Sequence, residues 1–260
     1  KDLLKHNQVL ASIKRIDWKC KIKIKKRNKY IDPYNSYAKA IKWFFNNEKE
    51  GIILEDDIVP NRSFFIFCTN MLKKYKNNKK ISQICGSSFV NKKKIGKYSY
   101  FFSNYSLCWG YATWKRSIID YDDKMKNWPN LKKKNSLMKI FKEKNTASYW
   151  TGIFDQQFNK KLRAWDYLWL YSNLSKNKIS IIPKRHLVKN IGFVDDATHT
   201  KTKYKDWYNK LNTKRLTIKP NHPKIIKADL KYDQWLGSKV FRTNVIYFKK
   251  VIKKIIGKIY

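Results

Sequence analysis

The chain has 260 residues, of which 42% are hydrophobic and 16% aromatic, so it can bury a full core and is not expected to be disordered. It should therefore form either one large domain or one domain with a satellite. The net charge of +40 favours an anionic partner, and nucleic acid is the first class to consider. Because the lysines are spread along nearly the whole chain, this charge defines no single patch, but it predicts attraction to anionic donors and anionic lipid surfaces.

Cysteine usage and hydropathy bear on the compartment. Cys20, Cys68, Cys85 and Cys108 form no C-x-x-C pair and no dense framework, so reduced structural thiols are expected and a zinc site is not. No run approaches the roughly 18 to 20 apolar residues of a membrane span, and no signal peptide opens the chain. We therefore expect a cytoplasmic protein.

Hydrophobic periodicity predicts helices that alternate with strands through the first 90 residues. The predicted helices cover residues 2–17, 33–50 and 63–75, and the predicted strands cover residues 20–25, 51–54 and 81–89. Ser63 is the expected cap of the third helix. This α-β-α-β-α-β alternation is typical of an α/β fold with a parallel sheet.

The second half of the chain is richer in aromatic clusters. Further helices are predicted over residues 113–120, 134–144 and 151–171, and a late strand over residues 179–183. Beyond about residue 205 the chain resembles a tail that closes in a basic helix. The predicted organisation is a main domain over residues 1–204 and a tail over residues 205–260.

Three consecutive acids, Glu55, Asp56 and Asp57, follow the predicted strand GIIL in a chain with only 19 Asp+Glu. Ligands of open α/β sheets bind at the carboxyl ends of strands, and carboxylates crowded there repel one another unless a cation or protons neutralise them. Hard oxygen ligands suit Mg²⁺ or Mn²⁺. The competing interpretation is a solvated acidic turn or a helix N-cap.

Four stretches carry a resemblance to a known family. They are IKWFFNNEKEGIILEDD (41–57), LCWGYATWKRSIIDYD (107–122), AWDYLW (164–169) and PKRHLVKNIGFVDDATHT (183–200). They resemble bacterial surface-polysaccharide glycosyltransferases that use nucleotide-diphospho-sugars and have the GT-A fold. The LEDD motif is distantly similar to that of the N-acetylglucosaminyltransferase initiating complex N-glycans. Together the stretches span about residues 30–200.

The resemblance implies a GT-A-like (Rossmann-like) fold, with a mixed, mainly parallel sheet flanked by helices. Such domains usually open with a strand and a helix that bind the nucleotide base. This chain begins within a predicted helix and shows neither of them, so the first βαβ unit is expected to be missing.

The same resemblance implies roles for the acids. Asp57 is expected to bind the metal directly, while Glu55 and Asp56 orient the donor, with a ribose contact as the alternative for Asp56. The implied cofactor is Mn²⁺ or Mg²⁺, because a divalent ion stabilises the charge that develops on a leaving nucleoside diphosphate. His199 is implied as a further metal ligand, and a structural histidine is its competing interpretation.

Asp166, in WDYLW, is the expected general base, since inverting members use a carboxylate to take the proton of the acceptor hydroxyl. The spacing of Trp165 and Trp169 also fits a buried helix stripe, in which Asp166 would be an N-cap or a surface acid. Asp155, in GIFDQQF, is the competing base.

The stretch CWGYATW (108–114) is expected to contact the acceptor through Trp109, Gly110 and Trp114. A glycine between large aromatic residues would let a sugar ring approach the backbone, and aromatic faces suit the C–H faces of sugars. A simple core role for these aromatic residues is the alternative.

The carboxyl-terminal segment shows a helical stripe with lysines on its flanks and opposite face. Its apolar members are Phe241, Val245, Phe248, Ile252, Ile255 and Ile259. This arrangement is typical of an interfacial helix attracted to anionic lipid. Docking on its own domain or on a second subunit is the alternative, and the membrane interpretation predicts a peripheral position on the cytoplasmic membrane face.

The resemblance therefore implies a metal-dependent glycosyltransferase of the hexosyl- or N-acetylhexosaminyltransferase class, with inversion as the expected stereochemistry. Its substrates would be a nucleotide-diphosphate sugar and a saccharide or lipid-linked saccharide acceptor, in lipopolysaccharide or capsule synthesis. The alternatives are a basic nucleic-acid-binding protein, which gives no reason for acids at a strand end, and a non-catalytic glycosyltransferase remnant.

Overall fold

The computed structural model describes residues 2–27, 29–89, 97–192, 211, 213–216 and 219–247. The chain divides into two compact units, Lys1–Asp32 and Pro33–Tyr260. The domain boundary predicted between residues 204 and 205 lies outside the described residues.

The first unit contains helix α1 (Asp2–Ile13), inside the span predicted for it. The strand predicted over residues 20–25 is wrong, because these residues are exposed and belong to no sheet. Ile22 and Ile24 are 47% and 52% exposed. Alternation of isoleucine and lysine gives a strand only where another strand and an apolar surface meet it, and the described residues of this unit supply neither.

The second unit is built around a five-stranded mixed sheet. Its strands are β1 (Glu50–Ile53), β3 (Ile81–Cys85), β4 (Tyr100–Ser103), β5 (Tyr111–Trp114) and β6 (Ile179–Pro183). They lie in the order β1-β5-β3-β6-β4. Two further short strands, β2 (Ile58–Pro60) and β7 (Val188–Asn190), pair with each other in antiparallel orientation and form a separate sheet. An α/β fold with a mixed sheet is thus confirmed.

The expectation of a mainly parallel sheet is wrong. Only β3 and β6 run parallel, and the other three neighbouring pairs are antiparallel. Parallel neighbours need a long crossover, and the chain between β3 and β6 is long enough because it carries two strands and several helices. The strand that precedes the acids, β1, is an edge strand paired with β5 and is half-buried, so it is not buried on both faces as predicted.

Helices flank the sheet. In the described part they are α2 (Pro33–Asn47), α3 (Arg62–Tyr75), α4 (Lys115–Ile118), α5 (Trp128–Lys133), α6 (Ser136–Phe141), α7 (Lys144–Phe158), α8 (Trp165–Ser175) and α9 (Leu230–Lys239). The predicted second and third helices are confirmed. Asn61 rather than Ser63 caps α3, since its side chain accepts a hydrogen bond from the Phe64 N–H at 3.1 Å.

Two predicted helices differ from the structure in instructive ways. Residues 113 and 114 end strand β5, so the helix predicted over 113–120 is reduced to α4. The helix predicted over 151–171 is two helices, because the chain turns after α7 through Lys160, whose φ of 58° is left-handed. This turn lets α8 start in a new direction.

Two hydrophobic clusters hold the second unit together. One gathers α3, the central strands and the β2–β7 pair, and it contains Phe64, Ile81 and Ile181. The other gathers α5 to α9 around Trp128 and Trp150 and is dominated by aromatic rings. Because Ile52 of β1 packs against the first cluster and Ile58 of β2 belongs to it, the chain on either side of residues 55–57 is fixed to the core.

Helix α9 is anchored to β4 by a buried carboxylate. Asp233 is 1% exposed and accepts hydrogen bonds from the Ser103 hydroxyl and from the Asn104 N–H and side-chain amide, the last at 2.8 Å. Burial raises the pKa of Asp233 to about 7 in spite of these donors. The carboxylate is therefore a structural anchor, and its three donors have no other acceptor among the residues that the structure describes.

Replacing Asp233 with alanine is expected to lower the free energy of unfolding by about 3 kcal/mol, because the buried Ser103 hydroxyl and two part-buried donors of Asn104 lose their acceptor. The comparison is Asp229→Ala, which removes only the α9 cap to the Tyr232 N–H and should cost about 1 kcal/mol. Urea denaturation at pH 8, where Asp233 is mainly ionised, measures both. Equal losses, or a larger loss for Asp229→Ala, would contradict the assignment of the anchor.

No helix in the described ranges is long and apolar enough to cross a membrane. Of the carboxyl-terminal stripe, Phe241 stacks on Tyr105 with ring centroids 5.1 Å apart, so the stripe begins docked on its own unit. Val245 is 42% exposed, and Phe248, Ile252, Ile255 and Ile259 lie outside the described residues. Membrane contact by this segment stays a prediction.

Candidate functional site

The three acids of the predicted motif occupy the turn between β1 and β2. The Ile58 N–H closes the turn by donating to the Glu55 carbonyl oxygen at 3.1 Å. Glu55 and Asp57 are half-buried, whereas Asp56 between them is exposed. The two outer acids are therefore turned toward the protein and Asp56 toward solvent.

Asp57 is held by the chain that follows β7. Its carbonyl oxygen accepts a hydrogen bond from the Ile191 N–H at 2.8 Å, and its carboxylate accepts one from the Asn190 side chain. A Cβ on Gly192 would lie 3.0 Å from the Asp57 Cβ and closer still to its Oδ2, so only glycine leaves room for this carboxylate. Within the described part of the chain, Asp57 Oδ1 is buried without a hydrogen-bond partner. That oxygen is a buried acceptor that no described donor satisfies.

Asp166 lies in the first turn of α8, where the helix dipole favours a carboxylate. The start of α8 is fixed by Gln157 of α7, whose Oε1 accepts from the Ala164 N–H at 3.2 Å and whose Nε2 donates to the Ala164 carbonyl oxygen. Trp165 stacks on Tyr37 of α2 with ring centroids 3.4 Å apart. The position of Asp166 is therefore fixed by the hydrogen bonds between Gln157 and Ala164 and by the stack of Trp165 on Tyr37.

The charges of these acids act on one another. Burial first, and then the charges of Asp57, Asp166 and Asp56, raise the pKa of Glu55 to about 7. Burial and the charge of Asp56 also raise the pKa of Asp57, while the hydrogen bond from Asn190 lowers it. Neither Glu55 nor Asp57 forms an ion pair with any described residue, although the chain has 59 Lys+Arg. Among the described residues, Glu55 and Asp57 therefore carry negative charge that no cationic side chain pairs with.

The raised pKa of Glu55 predicts a pH dependence of stability. The native state binds the Glu55 proton more tightly than the unfolded state, so the free energy of unfolding falls as pH rises from about 4.5 to about 7. After discounting for solvent screening, we expect a loss of about 1 to 2 kcal/mol.

Glu55→Gln should remove this loss. Urea denaturation of both proteins between pH 4.5 and 7.5, without divalent ions, measures the difference between their two pH profiles. Asp233 also titrates in this range, but it is present in both proteins and cancels. Parallel profiles would show that Glu55 is not perturbed.

Gly192→Ala tests the close approach to Asp57. The added methyl group should displace the Asp57 carboxylate and, if the turn binds Mn²⁺ as the sequence predicts, weaken that binding by about tenfold, since ligands must be held near their productive positions. The matched control is Ile191→Ala, which shortens a neighbouring side chain that is 52% exposed. Isothermal titration with MnCl₂ compares the two, and equal affinities would contradict this role of Gly192.

Asp155, the alternative base, has a different environment. Its carboxylate accepts a hydrogen bond from Trp128 Nε1 at 3.0 Å and forms a salt bridge with Lys132 Nζ at 2.8 Å. The charge of Asp166, by contrast, acts on Glu55, Cys108 and Tyr121. The structure therefore brings Asp166, and not Asp155, into the electrostatic environment of the acidic turn.

The aromatic stretch has evident packing roles. Gly110 is buried with φ of 60°, and a Cβ there would lie 3.0 to 3.3 Å from Val188, Ile58 and Leu54 side chains, so protein rather than ligand occupies that space. Trp114 is 3% exposed, with the Arg116 guanidinium 4.1 Å from its ring centroid. Trp109 is half-buried and packs edge-to-face on Phe89. Acceptor contacts by Trp109, Gly110 and Trp114 stay predictions.

The metal ligands that the resemblance implies are not seen as a group in the structure. His199 lies outside the described residues. Within the described ranges, no three His, Cys, Asp or Glu side chains are arranged to hold a metal ion. A metal at this turn would therefore take one or two protein carboxylates and complete its coordination with water and phosphate oxygens, as Mg²⁺ typically does.

Sequence reasoning did not single out Asn190, Gly192 or Gln157. Asn190 and Gly192 lie inside the stretch PKRHLVKNIGFVDDATHT, which carried part of the resemblance. The resemblance therefore drew attention to this stretch, but it did not predict their contacts with Asp57. No sequence pattern indicated Gln157, because its role comes from its hydrogen bonds to the backbone of Ala164, after the turn between α7 and α8.

Comparison with protein-family models gives no match, and comparison with curated proteins gives none either.

Proposed function

We propose that this protein is a metal-dependent glycosyltransferase that moves a sugar from a nucleotide-diphosphate sugar to a saccharide acceptor in surface-glycan synthesis. The observation that carries the proposal is the group of half-buried carboxylates, Glu55, Asp57 and Asp166, in a chain of net charge +40. Glu55 and Asp57 have no cationic partner in the described part of the protein.

The donor set suits a hard divalent ion. Asp57 Oδ1 is buried and unpaired among the described residues. Burial, and after it the neighbouring negative charges that a cation would relieve, raise the pKa of Glu55. Asp57 is the direct ligand in this proposal, and Glu55 supports it from the same turn. A bound Mn²⁺ or Mg²⁺ would stabilise the negative charge on the departing nucleoside diphosphate.

Asp166 is the proposed general base. It would accept the proton of the acceptor hydroxyl as that oxygen forms its bond to the anomeric carbon. The bond from the anomeric carbon to the phosphate oxygen breaks at the same time, and its electron pair leaves with the nucleoside diphosphate. Asp155 is less suited to this role because its carboxylate is engaged by Trp128 and Lys132.

The test is a screen of UDP- and GDP-sugars for hydrolysis by the full chain in the presence of MnCl₂. The proposal predicts release of nucleoside diphosphate from at least one donor, and EDTA should abolish that release. Absence of hydrolysis and of binding for every donor would favour a non-catalytic remnant. Tight retention of RNA or DNA under the same conditions would favour the nucleic-acid alternative.

A further inference from the structure

A cavity of about 260 Å³ lies along α3. The polar part of its wall consists of Arg62, Ser63, Asn70, Ser99 and Arg215. None of the described residues that line it is an acid or a lysine, although the chain has 19 Asp+Glu and its 59 Lys+Arg include only eight arginines. The polar wall is therefore built from guanidinium, amide and hydroxyl groups, all of which can donate hydrogen bonds.

The two arginines lie opposite each other on neighbouring stretches of chain. The Asn61 side-chain amide donates to the Lys214 carbonyl oxygen at 3.3 Å, and the Leu216 N–H donates to the Ser63 hydroxyl oxygen at 3.2 Å. Each arginine is the residue between two of these four, and both arginines line the cavity. The chain is therefore held on both sides of each arginine, and the two side chains belong to one site.

Neither of these arginines is engaged by the part of the protein that the structure describes. Arg62 and Arg215 are exposed, and neither forms a hydrogen bond, an ion pair or a ring contact with a described residue. The guanidinium group of Arg116, by contrast, donates to three backbone carbonyl oxygens. Two like charges held side by side repel each other, and an anion between them would replace this repulsion with attraction.

The other polar residues of the wall add further donors. Ser63 and Ser99 are only 9% and 6% exposed, and their hydroxyl oxygens accept the N–H groups of Leu216 and Asn221. A hydroxyl group that accepts a hydrogen bond still has its own hydrogen to donate, and neither serine has an acceptor among the described residues. The half-buried Asn70 likewise makes no hydrogen bond with a described residue. This excess of donors suits a ligand with several anionic oxygens.

We propose that this cavity binds the phosphate group of a small phosphate ester, with the guanidinium groups of Arg62 and Arg215 on its oxygens. Arginine binds phosphate oxygens through paired hydrogen bonds, and two cations match the double charge of a phosphate monoester better than the single charge of a carboxylate. The remaining wall is apolar and includes Ile66 and Leu216, so it can contact the carbon body that carries the phosphate. That body is either a sugar or an acyl chain.

This site is separate from the acidic turn. Asp57 and Asn61 lie at opposite ends of β2, so about 10 Å of extended chain separates the acids from the start of α3. Phosphate binding in the cavity therefore requires neither a metal ion at the acids nor the proposed transfer reaction.

The experiment is isothermal titration of the full chain with glucose 6-phosphate, with dihexanoyl phosphatidic acid and with inorganic phosphate. Divalent ions are left out, and about 0.15 M KCl screens the diffuse positive charge. At least one ester should bind with a stoichiometry of one and more tightly than inorganic phosphate. Arg62→Gln and Arg215→Gln should each weaken it about fivefold to fiftyfold. The matched control, Arg15→Gln, makes the same change at an exposed position outside the cavity wall and should stay within about twofold.

Asn70→Leu is a second variant that leaves the net charge unchanged, and it should weaken binding about threefold. Tighter binding of the sugar ester or of the acyl ester supports the proposal and identifies the body of the ligand. The proposal is overturned if neither ester binds more tightly than inorganic phosphate. It is also overturned if Arg62→Gln, Arg215→Gln and Asn70→Leu all bind as the unmodified protein does, or if Arg15→Gln weakens binding as much as they do. Asp57→Ala should leave this binding unchanged, so loss of donor hydrolysis and loss of this site are separate results.

Discussion

Replacing Asp57 with alanine is expected to reduce metal-dependent turnover of the nucleotide sugar at least about a hundredfold. The side chain supplies the one buried carboxylate oxygen of the turn that has no partner among the described residues. Its removal leaves Glu55 and Asp56 to neutralise the ion, and Asp56 is exposed. The measurement is the initial rate of nucleoside diphosphate release with saturating MnCl₂.

The matched control is Glu50→Gln, which removes one acid from the exposed start of the same strand. It changes the net charge as Asp57→Ala does and should leave the rate within about twofold, because an exposed charge away from the turn is screened by solvent. A rate for Asp57→Ala above half that of the unmodified protein would reject the role of Asp57. So would an equal loss in both variants.

Asp166→Asn is the second variant with a large expected effect. Asparagine has nearly the same shape but cannot take a proton, so transfer to an acceptor should fall about 10²-fold to 10⁴-fold. Binding of the nucleotide and of Mn²⁺ should change much less, because Asp166 is proposed to act on the acceptor. Single-turnover rates and nucleotide titrations, made on the same preparation, separate the two effects.

Asp155→Asn serves as the comparison for the base. It weakens the contact with Lys132 and is expected to lower stability while leaving the transfer rate near that of the unmodified protein. If Asp155→Asn stops transfer and Asp166→Asn does not, the two assignments must be exchanged. If neither affects the rate, the base is a different group.

The structure explains which elements the sequence could predict. Helix α3 and strand β6 were predicted with nearly correct bounds because their apolar periodicity is local and they are bounded by turn residues. Strands β2, β4 and β7 are only three or four residues long, which is too short for a period to appear. The antiparallel pairing of β5 between β1 and β3 is a long-range contact that no local pattern carries.

In the candidate site, too, local sequence patterns predicted some features and long-range contacts determined others. The acidic triplet was noticed because three acids in a row are conspicuous in a basic chain, and the resemblance suggested Asp166. Their mutual electrostatic effect could not be predicted, since it depends on how α8 is placed by Gln157 and by the Trp165–Tyr37 stack. The need for glycine at position 192 likewise arises from a contact with a residue far away in the sequence.

Titration of Mn²⁺ into the full chain, followed by electron paramagnetic resonance with UDP or GDP present, tests the metal site most directly. We predict that the free Mn²⁺ signal falls with the unmodified protein and one of the two nucleotides, and that Asp57→Ala largely restores it. A free Mn²⁺ signal that the unmodified protein leaves unchanged, with either nucleotide or with none, would contradict the proposal that these carboxylates hold a dication beneath a diphosphate.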